Sequence, residues 1–169
     1  RYVGYGGARG GGKSHVLRIK AFGGALTYPG IRILIVRREY PELEQTMILP
    51  MRKLIPQEVA VYNGSMHMFF FANGSTIKFG HYGTSDDDEY QGTQFTESQF
   101  RTLGACLRGA TNIPRRMYLT CNPGGIGHLW VKRLFVSRQY RDGETAEDYT
   151  FIHATVDDNP QLLAASPEY

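Results

Sequence analysis

Apolar positions along the chain alternate between two periods. Short apolar runs bounded by glycine, asparagine or proline predict strands, and apolar residues spaced three and four apart predict helices. Tyr2-Val3-Gly4-Tyr5 reads as a short first strand, and Ser14 to Gly24 as a helix closed by a glycine. Ile31 to Val36 is nearly all apolar, which predicts a central strand covered on both faces. Tyr40-Pro41-Glu42 opens a helix with proline in its first turn. Leu43, Met47 and Met51 continue it at helical spacing, and Pro50 is expected to kink or break it. His67 to Phe71 and Ser75 to Phe79 flank Asn73-Gly74, the turn pair of a β-hairpin.

The most fully specified helix starts near Thr96. Thr96 with Gln99 makes a capping box, and Phe95 with Phe100 can form the hydrophobic staple. Phe100, Leu103, Gly104 and Leu107 then share one face. Met117 to Cys121 predicts another buried strand, ended by Asn122-Pro123-Gly124-Gly125. His128 to Tyr140 reads as a mixed basic and apolar helix, and Phe151 to Val156 as a last strand. This alternation of strands and helices predicts an α/β sheet fold.

Composition narrows the class. A hydrophobic fraction of 41% over 169 residues suffices for one packed domain and excludes a disordered chain. No apolar run approaches the roughly 18 residues that cross a bilayer, and the start at Arg1-Tyr2-Val3-Gly4 lacks a signal-peptide layout. Two cysteines, Cys106 and Cys121, make no disulfide framework. The net charge of +3 permits a nucleic-acid partner without requiring one. Residue 1 falls where a core strand begins, and Ser166-Pro167-Glu168-Tyr169 is a turn-like stop, so the chain reads as a fragment of a longer polypeptide.

One motif carries chemistry. Gly7-Ala8-Arg9-Gly10-Gly11-Gly12-Lys13-Ser14 fits G-x-x-x-x-G-K-[ST] at every fixed position, between a predicted strand and a predicted helix. The glycines let the backbone curl so that its N–H groups converge on phosphate oxygens. Lys13 would place its charge on the β- and γ-phosphates, and the Ser14 hydroxyl could coordinate Mg²⁺. The helix that follows adds its positive dipole end. A dinucleotide fingerprint read from Gly4 and Gly6 fails, because it needs glycine where Arg9 stands. Arg9 reads either as an internal arginine finger on transition-state charge or as a side chain facing solvent or DNA.

Several segments taken together resemble the large subunit of tailed-phage terminases. Tyr5 to His15 is similar to their Walker A segment, and Arg37-Arg38-Glu39-Tyr40-Pro41-Glu42-Leu43 to the segment after their second strand. Tyr90-Gln91-Gly92 and Gln94-Phe95-Thr96-Glu97 resemble what borders their Walker B strand. Leu119-Thr120-Cys121-Asn122-Pro123-Gly124-Gly125 resembles their coupling motif, and Asp158-Asn159-Pro160 with Ser166-Pro167-Glu168-Tyr169 the approach to their second domain. The resemblance implies residues 1–169 as part of a P-loop NTPase domain: a mainly parallel sheet flanked by helices, with the hairpin as an insertion. It also implies ATP and Mg²⁺ as cofactors and ATP hydrolysis that drives double-stranded DNA into a procapsid. Portal protein and small terminase subunit would be partners, the assembly a ring of identical subunits, and the location the host cytoplasm. Nothing corresponds to the family's nuclease domain, so no DNA cleavage is expected. Thr120 and Asn122 take the place of a γ-phosphate sensor; read from the residues alone, Asn-Pro-Gly-Gly simply ends a strand in a turn.

One part of the pattern is missing. A P-loop ATPase needs a carboxylate at the end of an apolar strand to hold Mg²⁺. In the family that strand lies between Tyr-Gln-Gly and Gln-Phe-Thr, but here Gly92 runs straight into Thr93. Either a segment of roughly ten residues is left out at this junction or the deletion is real; the first predicts Cα atoms farther apart than the ~3.8 Å of a trans peptide. Asp86-Asp87-Asp88-Glu89 reads as a solvated loop, Glu97 as compensation of a helix dipole, and Asp157-Asp158 as part of a turn. Arg37, Arg38, Arg52, Lys53, Arg115, Arg116, Lys132, Arg133, Arg138 and Arg141 are the bases from which phosphate contacts could be drawn. His15, His128 and His153 have no metal-ligand spacing. Three functions stay open: a packaging-motor ATPase, a catalytically silent nucleotide- or DNA-binding module, and a helicase-like or phosphotransferase P-loop protein.

Overall fold

The structure, a computed structural model, describes residues 1–7, 10–82, 95–108, 112–122 and 124–165. They form two compact units, Arg1–Lys13 with Gln94–Tyr169, and Ser14–Thr93.

The first unit is built on a parallel three-stranded sheet with β1 (Tyr2–Gly7) in the middle. Strand β6 (Met117–Cys121) lies on one side and β7 (Tyr149–Ala154) on the other. An aromatic core packs against it. Phe100 stacks on Trp130 with centroids 4.8 Å apart, Tyr2 stacks on Tyr149 at 5.2 Å, and Leu134 is fully buried. Burying side chains of this size contributes roughly 1.5–3 kcal/mol each. Helix α4 (Glu97–Ala105) begins as its sequence predicts. The Thr96 hydroxyl accepts from the Gln99 N–H at 3.2 Å, and the Gln99 side chain accepts from the Thr96 N–H at 3.0 Å.

The second unit carries a mixed sheet of four strands. Helix α1 (Lys13–Thr27) leads into β2 (Arg32–Arg37), which pairs in parallel with β5 (Thr76–His81). The predicted hairpin forms between β4 (Met68–Phe71) and β5, and β3 (Ala60–Asn63) extends it to a meander, giving the order β2-β5-β4-β3. The Asn73 side chain fixes the turn: its Oδ1 accepts from the Ser75 N–H at 3.0 Å, and its Nδ2 donates to the Ala25 carbonyl at 2.8 Å. Helix α2 (Tyr40–Leu43), the turn that follows it and α3 (Leu49–Leu54) place Leu43, Met47 and Met51 in the core with Ile77 and Phe69.

Three expectations are corrected and one, at Pro50, is narrowed. Among the described residues strand β2 is an edge strand of its sheet, not a central one, and Leu34 is half exposed. Only the face bearing Ile33 and Ile35 packs on the core. Strand β6 is half-buried along its length, because among the described residues β1 is its one paired neighbour. Of the kink or break expected at Pro50, the break is excluded: a wider π-type turn over Glu44–Ile48 precedes α3, and Pro50 sits in the first turn of α3. The carbonyl that Pro50 cannot bond, four residues back at Thr46, accepts from the Arg18 guanidinium at 2.6 Å. Finally, the helix from His128 stops well before Tyr140. Helix α5 (His128–Val131) widens over Lys132–Val136 and ends at Ser137, with Arg138 at φ +53°. The Gln139 N–H closes it on the Arg133 carbonyl at 2.9 Å.

Candidate phosphate-binding site

Because β1, β6 and β7 run parallel, the segments leaving their C-terminal ends emerge at one end of the sheet, where open α/β folds place ligands. The glycine loop leaves β1, the Asn122 turn leaves β6, and residues 155–159 leave β7.

The strand can enter this space only as glycine. A Cβ on Gly6 would stand 2.3 Å from Cys121 Sγ, and one on Gly7 would stand 2.0 Å from the Ala154 carbonyl oxygen. Gly7 also has φ +137°, where a side chain is strained. The loop then turns through left-handed residues at Gly10 (φ +81°) and Gly12 (φ +68°). Two of its carbonyls are claimed by protein donors. Gly10 O accepts from the Gly12 N–H at 2.8 Å and from Asn159 Nδ2 at 2.6 Å, and Gly11 O accepts from the Tyr5 hydroxyl at 3.3 Å. Ala8 and Arg9 lie outside the described residues.

Lys13 opens α1 directly after the loop. Burial pulls its pKa below the ordinary lysine value, and the neighbouring Cys121 sulfur partly offsets this. Burial pushes the Cys121 thiol up in turn. Ser14 follows in the same turn, and its hydroxyl accepts from Arg37 Nη2 at 3.3 Å. Arg37 also stands 3.7 Å from Glu42.

Thr120 is level with Tyr5, and Cys121 with Gly6, so Asn122 is the first residue beyond β6 at the loop end of the sheet. Among the described residues of this unit, Asp157 and Asp158 follow β7 at that end. Asp158 accepts from the Thr155 N–H at 2.7 Å and its hydroxyl at 3.0 Å, and these bonds hold its carboxyl below the usual range. It therefore serves the turn, as its context predicts. Glu97 does more than offset a dipole: it bonds Arg101 and Arg133, which also hold Glu144. Asp86 to Glu89 and the Gly92–Thr93 junction lie outside the described residues. Among the described residues no group of three His, Cys, Asp or Glu gathers to hold a metal ion. With the Ser14 hydroxyl facing a guanidinium as well, those residues do not fit a complete Mg²⁺ site.

The expected bases separate by burial. Arg38 is 2% exposed, and Arg133 is engaged by Glu97 and Glu144, so neither presents to a duplex. Arg52 lies over the Tyr62 ring at 5.2 Å. Lys53, Arg115, Arg116, Lys132, Arg138 and Arg141 are exposed.

Sequence reasoning does not find Asn159. Its Oδ1 accepts from the Leu162 N–H at 3.4 Å, capping α6 (Pro160–Ala165) while Nδ2 reaches the glycine loop. Asparagine followed by proline is a helix-start signal that could have pointed to it; the Asp-Asn-Pro context instead reads as a turn.

Residues 89–166 match the family model of the phage terminase large subunit. The resemblance is to the phage large terminase, in sequence and in fold. The large terminase of a thermophilic bacteriophage in complex with ATP-γ-S superposes with a TM-score of 0.65 at 16% identity, covering 94% of this chain and 40% of that one. A second crystal form of the same terminase gives 0.65 at 16% identity, over 94% of this chain and 41% of that one. The chain thus spans about two fifths of the solved terminases it matches. No curated protein matches it in sequence. The terminase likeness agrees with the mixed α/β architecture, its parallel sheet and its flanking helices. Among the described residues no helix is long and apolar enough to cross a membrane.

Proposed function

We propose that this chain binds ATP through Gly7, Ala8, Arg9, Gly10, Gly11, Gly12, Lys13 and Ser14. On this reading residues 1–169 are part of the ATPase domain of a terminase large subunit that drives double-stranded DNA into procapsids in the host cytoplasm. The observation that carries it is the glycine loop. It leaves the middle strand of a parallel sheet, has the Gly10 and Gly11 carbonyls held by protein donors, and runs into Lys13 at the start of a helix. A similar terminase binds ATP-γ-S, which supports the nucleotide. Arg9 would act on γ-phosphate charge, and Thr120 and Asn122 would report its presence to the β6 turn. Duplex DNA, portal protein and small subunit are the partners of this reading, in a ring of identical subunits.

A catalytically silent nucleotide-binding module is the second reading. It is favoured by the acidic groups: Asp158 and Glu97 are committed to neighbours, and no metal-binding cluster gathers among the described residues.

ATP titration tests the site. Lys13→Ala removes a charged donor worth about 1.5–3 kcal/mol, so ATP affinity is expected to fall roughly 10- to 100-fold with the fold retained. Unchanged affinity rejects the site. Turnover that rises with duplex DNA, and falls with salt, supports the motor; binding without turnover supports the silent module.

A further inference from the structure

We propose that Asn159 is a positioning residue of the phosphate loop, setting the direction of the Gly11 amide while it caps α6. This rests on the ATP-binding reading of the same loop.

In a planar trans peptide the carbonyl of one residue and the N–H of the next point in opposite directions. Gly10 O and Gly11 N–H belong to one such peptide. Both flanking residues are glycine, so no side chain prevents the unit from rotating as a whole. Gly10 O also accepts from the Gly12 N–H at 2.8 Å, but that donor belongs to the same loop; without an anchor outside the loop the peptide could turn its carbonyl toward an incoming phosphate and repel it. Asn159 Nδ2 holds Gly10 O at 2.6 Å, and this bond spans 149 residues of sequence. With the carbonyl fixed there, the Gly11 N–H must face the other way. The loop is also braced just before this peptide, where Gly7 meets the Ala154 carbonyl at the end of β7. One short segment, 154–159, therefore contacts both the entry and the turn of the loop.

Asn159 itself is well anchored. Its N–H donates to the Val156 carbonyl at 2.9 Å, its own carbonyl accepts from the Leu162 and Leu163 N–H groups at 3.0 and 3.2 Å, and its Oδ1 caps at Leu162. The residue must supply an acceptor to the helix and a donor to the loop at once. Aspartate supplies the first only, and serine is too short to bridge both.

That division makes the role separable from a structural one. Serine and aspartate cap helices about as well as asparagine, so Asn159→Ser and Asn159→Asp should melt close to the parent chain. ATP affinity is expected to fall about tenfold for Asn159→Ser, as for loss of one hydrogen bond near 1.4 kcal/mol, and further for Asn159→Asp, which sets a carboxylate against the Gly10 carbonyl. Hydrogen exchange of the Gly10 to Lys13 amides should quicken in both variants without nucleotide. Affinity equal to the parent chain overturns the proposal, and so does an affinity loss that merely follows a lowered melting temperature. If the parent chain fails to bind ATP, the ATP reading falls; the exchange measurement still decides whether Asn159 positions the loop, and unchanged exchange rejects it.

Discussion

The two units of the chain use the same element types to different ends. In the first, three parallel strands deliver three loops to one end; contacts tie the β1 and β7 segments together, Gly7 against Ala154 and Gly10 against Asn159, while Asn122 stands one residue beyond β6. In the second, β3 and β4 run antiparallel, so successive turns fall at opposite ends. Several of its polar groups serve the backbone: Arg18 satisfies Thr46, Asn73 shapes a turn, and Ser75 donates to the Tyr28 carbonyl. Parallel topology concentrates loops at one end; the meander distributes them between two.

The sharpest break of this contrast is a methyl group. Gly7→Ala in the first unit puts Cβ 2.0 Å from a backbone oxygen at φ +137°. Strain and overlap together should cost about 3 kcal/mol or more and lower the melting temperature. Gly23→Ala, inside α1 of the second unit, meets nothing within 4 Å and should instead stabilise by about 0.5–1 kcal/mol. Equal effects of the two, read by thermal melting, would erase the distinction between a squeezed strand end and an open helix face.

Next in size is the acid response of the first unit. Glu144, with its side chain 4% exposed, is held by Arg133 at 2.7 Å and by Arg101. Hydrogen bonding to Arg133 leads in pulling its pKa from 4.5 down to about 2. The unfolded chain then binds a proton more readily than the folded one. The stabilisation is full above about pH 4.5 and is lost as pH falls toward 2. Glu144→Gln should cost about 2 kcal/mol at neutral pH, and its melting curve should converge on that of the parent chain in acid. A constant gap across that pH range would refute the assignment.

Much of this is legible in the sequence because it rests on local rules. Thr96 with Gln99 and Asn73 with Gly74 each state their geometry within a few residues, and the left-handed turns at Gly10 and Gly12 fall inside the glycine spacing. What escapes depends on distant partners. Ile31 to Val36 reads as a covered central strand because apolar composition cannot tell an edge from a centre. The helical pattern from His128 runs on to Tyr140, whose ring stacks on Tyr149 after the chain has turned away. The Asp-Asn-Pro turn hides a residue whose partner, Gly10, lies at the far end of the sequence. Local chemistry announces the loop, but only the sheet reveals what braces it.

The smallest predicted effect tests whether the second unit's arginines serve its backbone. Pro50 leaves the Thr46 carbonyl without its helical N–H, and Arg18 supplies the replacement at 2.6 Å. Arg18→Ala should therefore cost about 1–1.5 kcal/mol, the net worth of one such bond. Pro50→Ala restores an N–H able to bond Thr46, so in that background the same Arg18→Ala change should cost clearly less. The difference between the two is a coupling energy that chemical denaturation of the four variants measures directly. Additive costs would mean that Arg18 contributes through packing of its aliphatic stem and not through the carbonyl the proline left open.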